Sequence, residues 1–140
     1  MDDTEDDLTV KDTDGLLRRI PNIPDMYKYD HNKQCRVITS ICFSDRESNG
    51  TNLSVTQETP LFESGGTHED ALGKFKNFGL ARFTADIVRN HVNTPQKIII
   101  DPTPEDPHHA IVFGKKNKKV QRQIKKQSEL LIAPKMDADY

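Results

Sequence analysis

A chain of 140 residues with 20 Lys and Arg against 22 Asp and Glu, no tryptophan and only two cysteines has the length of one domain, able to bury about two thirds of its unfolded surface. Its mean hydropathy of −0.75 and the lack of any apolar run long enough to cross a bilayer exclude a transmembrane helix, and the start has neither the basic nor the apolar part of a signal peptide. A cytoplasmic protein with no membrane role is expected.

In chain order, residues 1–14, MDDTEDDLTVKDTD, carry seven acids against one lysine, and such a run repels itself more than it can bury, which predicts an acidic disordered tail. GLLRRI then reads as a short strand closed by the prolines of PNIPDMY. CRVITSICF, residues 35–43, is rich in β-branched types and has no strongly polar face, as expected of an inner strand. SDRESNGTN, 44–52, is a turn, and LSVT returns as a strand, consistent with a hairpin.

After ESGG, which offers a hinge or an anion-binding backbone, THEDALGKFKNF has Thr67 as N-cap and Asp70 as an aspartate variant of the capping box. Ala71, Leu72, Phe75 and Phe78 follow at helical spacing, predicting about three turns. GLARFTADIVRNHV reads as a strand passing into a turn of helix at Thr84. QKIIID is a short apolar strand expected in the middle of its sheet, and HHAIVFG is another, joined to it by DPTPEDP. In KNKKVQRQIKKQSELLIA, Val120, Ile124 and Leu131 share a narrow helical sector widened by Leu130 and Ile132, while Lys118, Lys119, Arg122, Lys125 and Lys126 gather opposite.

The chemistry is read from what is present and absent. Phosphate-loop, dinucleotide, nucleophile-elbow and HExxH motifs are missing, and no CxxC pair exists for zinc or thiol exchange. Cys35 and Cys42 read as two inert thiols. Prolines at 102, 104 and 107 hold their preceding residues extended, so this segment is a stiff corner launching a strand, with His109 on the face of Ile111 and Phe113 and His108 on that of Ala110 and Val112. One histidine could act as a base oriented by Asp101, Glu105 or Asp106, but adjacent strand histidines point apart and chelate metal poorly. No metal site and no cofactor is expected. Arg18, Arg19, Ser54 and Glu69 are the residue types with which ADP-ribosyltransferases hold and cleave a dinucleotide, so Arg18, Ser54, Glu69 and His109 are the candidate catalytic set. The one-signed helix face would attract an acidic protein, the chain's own acidic segment, or a phosphate backbone, and the scarcity of aromatics ranks nucleic acid below protein.

The order LLRRIP, RVITSICFSD, LSV and DPTPEDPHHAIVFGK, over about residues 16–126, resembles a group of small uncharacterised bacterial proteins with an Arg-x-Ile start, a Leu-Ser-Val strand and a late Asp-Pro…Pro-x-His-Ala segment. Arg18, Ser54, Asp101, Pro102 and His109 occupy the matching positions. The resemblance implies an association with bacterial conflict systems, antiphage or toxin–antitoxin.

Together these readings predict one α+β domain over 15–133, with a mixed or mainly antiparallel sheet, two main helices and a C-terminal tail at 134–140. The expected function is an accessory or interaction subunit docking a protein partner through Lys118, Lys119, Arg122, Lys125 and Lys126. The alternatives are a small ADP-ribosyltransferase-like, nucleotide-processing enzyme and a binder of nucleic-acid backbone.

Overall fold

The computed structural model describes residues 5–44, 52–90 and 94–135. Their elements run β1 (Gly15–Ile20), β2 (Tyr27–Asp30), β3 (Cys35–Ile38), β4 (Asn52–Gln57), α1 (Glu58–Glu63), β5 (Gly79–Thr84), α2 (Ala85–Arg89), β6 (Lys97–Ile100), β7 (His109–Phe113), α3 (Lys118–Gln127) and β8 (Glu129–Ile132). Six strands form one antiparallel sheet in the order β6-β7-β4-β1-β5-β8, and β2 and β3 make a separate hairpin. The fold is α+β with a mainly antiparallel sheet in a single compact domain. Of the two main helices expected, only α3 exceeds six residues. Among the described residues no helix is long and apolar enough to cross a membrane.

Strand alternation in β1 divides the molecule. Leu16 and Ile20 enter the larger core with Phe43, Phe83, Ile98, Val112, Val120 and Ile124, so one face of the sheet carries α2, α3 and the β2–β3 hairpin. Leu17 points the other way and packs with Leu61 of α1, Ala71, Leu72 and Leu80. β1 carries leucine on both faces because each is covered.

Several sequence expectations are corrected. The stretch 35–43 is not an inner strand: it ends as β3 at Ile38, pairs only with β2, and Ser40–Phe43 curl into a 3-10 turn. Adjacent Cys42 and Phe43 both enter the same larger core, which a turn permits and an alternating strand does not. β4 consequently pairs with β1 and β7 and makes no hairpin with β3. The predicted turn at 44–52 falls mostly outside the described residues. Both cysteines are free, Cys35 exposed and Cys42 buried; burial pushes the Cys42 thiol up, and its S–H donates to the Met26 carbonyl at 3.3 Å.

The helix expected from Thr67 is only a 3-10 turn, Glu69–Leu72. Gly73, at φ +56°, stops it, and the chain proceeds by short turns in which Phe75 N–H donates to the Leu72 carbonyl and Phe78 N–H to that of Phe75. Asp70 still accepts from the Thr67 amide at 2.7 Å, but the turn opens at His68 and not at the expected Thr67, and no side chain caps it. α3 begins where Asn117 accepts from the Val120 amide, but it stops at Ser128. Leu130 packs on the larger core and Leu131 and Ile132 on the smaller one, and the segment is strand β8 and not more helix because it pairs with β5, with a register shift between Leu80 and Ala81.

β6 lies at the edge of the sheet, not in its middle, and the supposedly free tail explains why an apolar edge is tolerated. Asp7 N–H donates to the Ile98 carbonyl at 2.7 Å and Ile98 N–H to the Asp6 carboxylate at 2.8 Å, covering the edge. Arg89 of α2 fastens this strap. Its Nε lies 2.8 Å from Asp6, near enough for an ion pair though not aligned for a hydrogen bond, and its terminal nitrogens donate to the Val10 and Asp7 carbonyls and to Asp12. Val10, 2 % exposed, plugs into the core. Residues 5–14 therefore belong to the domain, because Asp6 and Asp12 meet one arginine, its side chain 10 % exposed, in place of one another.

Two measurements test the strap. Arg89→Met should destabilise the domain by about 3 kcal/mol in chemical denaturation, since it strands carboxylates and carbonyls that one cation now serves, and should speed amide exchange at Ile98. The Asp7 carboxyl is held below the ordinary carboxylate range by the Thr9 hydroxyl first, then by the Thr9 amide and Arg89. The unfolded chain therefore takes up this proton first, so Asp7's contribution is present above the ordinary carboxylate range and is lost as pH falls through its depressed value; exchange of the Thr9 amide should accelerate there and not at neutral pH.

Candidate functional site

The four candidate catalytic residues do not converge. Arg18 alternates onto the larger-core face, where Nε donates to the Cys42 carbonyl at 3.2 Å and a terminal nitrogen to the Ser54 carbonyl at 3.1 Å, tying the 40–43 turn to the sheet. The Ser54 side chain points to the opposite face, since Leu53 and Val55 flank it in the larger core. Glu69 is exposed on the 3-10 turn. His109 lies on the smaller-core face, as expected, with Nδ1 2.8 Å from the Asp101 carbonyl and 3.3 Å from its carboxylate. A carbonyl only accepts, so Nδ1 carries the proton. The ADP-ribosyltransferase reading loses its geometric basis at Arg18, whose guanidinium is engaged with backbone on the wrong side of the sheet.

The face carrying α1 bears a groove instead. Arg19, Thr56, Ser64, Asp70, Asp106 and His108 are among the residues lining one cavity of about 390 Å³. A second, of about 480 Å³, adjoins it and shares Arg19, Gly73, Glu105 and Asp106. The proline segment is its wall. Thr103 and Asp106 exchange backbone hydrogen bonds at 3.0 and 3.2 Å, and the Asp106 carboxylate accepts from the Thr56 hydroxyl at 2.5 Å and the His108 amide at 3.0 Å. The segment is thus both corner and rim. His108, expected on the face of Ala110, precedes the strand and turns into the groove, 3.3 Å from the Ser64 hydroxyl. That hydroxyl donates to the Leu61 carbonyl at 2.7 Å, so the imidazole N–H is the donor to it, and the serine is not activated as a nucleophile.

Behind the groove sits a charged cluster that sequence reasoning missed. Glu58 of α1, buried, receives Arg82 Nε at 2.9 Å and faces His68 Nε2 at 2.7 Å. Its carboxylate fits against β1 because Gly15 has no side chain; a Cβ there would meet it at 2.5 Å. The three residues are distant in sequence and carry no motif that could have linked them.

The basic face of α3 is exposed as expected: Lys118, Lys119, Arg122 and Lys126 are exposed and Lys125 is half-buried, while Val120 and Ile124 enter the core. The structure extends this surface. The β2–β3 hairpin meets the end of α3 around a cavity of about 470 Å³ lined by Lys28, Lys33, Arg36, Lys125 and Lys126 over Val37, Ile38 and Leu130. Asp30, the acid in that lining, accepts from the Asn32 and Lys33 amides within its own turn. Residues 5–14, a possible occupant by charge, are held at the β6 edge by Arg89. Lys116 just before the helix is a different case: its ammonium is buried and donates to the Val112 and Gly114 carbonyls at 2.7 and 2.8 Å.

The class of this chain is that of its fold, an antiparallel α+β domain with a cationic surface on one face of its sheet and a polar groove on the other. Comparison with models of known protein families, with curated proteins and with solved structures finds no match.

Asp106→Ala should cost about 2 kcal/mol of stability through the loss of two hydrogen bonds, one to the hydroxyl of buried Thr56 and one to a backbone amide. Histidine NMR signals should report it: His108 and His109 resonances move together if Asp106 braces the wall of the groove.

Proposed function

We propose that this chain is an interaction domain, an accessory subunit that docks an acidic segment of a partner protein on the surface made by α3 and the β2–β3 hairpin. The observation that supports the reading is the composition of the shared cavity, a cationic rim over an aliphatic floor. An acidic segment carrying one aliphatic side chain complements both, the charges guiding encounter and the apolar contact holding it. Nucleic acid fits less well, because the cavity lining has no aromatic side chain on which a base could stack. The exposed Tyr29 alternates to the side away from Lys28 and Asp30, which line the cavity. The resemblance to small bacterial proteins of conflict systems directs the search for the natural partner to products encoded beside this chain.

A fluorescent peptide of glutamates with one central leucine should bind the full chain, more weakly as salt rises. Replacing that leucine with serine should weaken binding, and Lys119→Glu, Arg122→Glu and Lys126→Glu together should lower affinity by about two orders of magnitude with the thermal transition unchanged. Tighter binding of a single-stranded DNA of equal charge would overturn the assignment to a protein partner.

A further inference from the structure

We infer that the groove on the α1 face is a binding site for a small zwitterion, a ligand carrying an ammonium and a carboxylate. The inference is independent of the docking surface, which lies across the sheet. Its starting point is an electrostatic mismatch within the larger of the two cavities. Arg19, Lys74 and Glu105 all line it, yet among the described residues none of the three side chains makes a hydrogen bond or an ion pair. Opposite charges that line one cavity without meeting leave both ends available to a ligand bearing the complementary pair.

The cationic end is organised. Arg19 leaves β1 half-buried, and its guanidinium lies over the Phe75 ring at 4.9 Å, with the Lys74 ammonium 5.4 Å from the same ring. Phe75 is itself held by Phe78, 4.7 Å away. The ring contact engages the arginine head without using its N–H groups, which remain free to receive a carboxylate on two parallel bonds. Gly73 lines the cavity beside this arginine.

The opposite end supplies acceptors. Glu105 is an exposed carboxylate on the braced proline segment. The ring of His109, its Nδ1 proton committed to Asp101, has Nε2 as its remaining acceptor, and His109 lines the same cavity. Of the two carboxylates that line this cavity, Asp106 already accepts from the Thr56 hydroxyl and the His108 amide, whereas the Glu105 carboxylate has no donor among the described residues. A volume of about 480 Å³ suits a free α-amino acid or a short peptide. Both share the recognised chemistry.

The test uses the full chain, labelled for NMR, titrated separately with L-alanine, L-leucine, L-glutamine and the dipeptide Ala-Ala, with acetate and methylamine as singly charged controls. The expected result is a saturable shift of the His109 ring and Gly73 amide signals with at least one zwitterion, at least ten-fold tighter than with either control. The dipeptide arm separates a peptide site from a free amino-acid site. Arg19→Met should weaken binding at least ten-fold. Glu105→Gln, on an exposed loop position where folding is not at stake, should do the same, and neither change should alter binding of the acidic peptide at α3. The proposal is overturned if every zwitterion fails to saturate, if acetate or methylamine binds equally well, or if Glu105→Gln leaves affinity unchanged.

Discussion

The alternation of side chains along β1 governs the rest of the molecule. Leu16 and Ile20 commit one face to the larger core, Leu17 commits the other to the smaller core, and the consecutive arginines between them are sent to opposite sides. Arg18 is taken up by the carbonyls of Cys42 and Ser54 and becomes a fastening for the 40–43 turn. Arg19, one position on, faces α1 and the proline segment. A one-residue slip in the pairing of β1 would exchange these roles and bury the wrong arginine, so the register with β4 and β5 fixes where each chemistry can occur.

The two surfaces differ in how their charge is held. On the α3 side the cations are numerous and project from a helix and a hairpin, and the local acid is engaged by its own turn; this suits an extended partner whose charges need not be individually registered. On the α1 side the charges are few, and the groove wall is braced by Thr56, Thr103 and Asp106, which suits a small ligand whose groups must be placed. The sheet between them is a rigid partition.

Local patterning made much of the fold legible. The strands at 15–20, 79–84 and 109–113 and the basic face of α3 follow from alternation, flanking turn residues and the helical wheel, and the proline segment follows from the restriction that each proline imposes. Reading failed where tertiary partners decide. Cys42 and Phe43 are β-favourable residues consumed by a buried turn. The period across 71–78 fits a helix, but Gly73 is required at positive φ and stops it. Leu130 to Ile132 satisfy a wheel and a strand equally until β5 offers an edge. The acids of residues 5–14 look self-repelling because Arg89, far along the sequence, is invisible beside them. At the candidate site, His109 and the lysines were legible as chemistry-bearing types; the hairpin cations and the Glu58 cluster were not, since only folding assembles them.

The strap also bears on the chain's behaviour in a crowd. Beneath Asp6 and Asp7 lie three successive isoleucines in an extended ribbon, the kind of segment that propagates from one molecule to the next once its outer rim is bare. A proteolytic nick between residues 5 and 12 would touch neither the α3 surface nor the α1 groove, yet it would bare the β6 rim and favour strand-to-strand self-association.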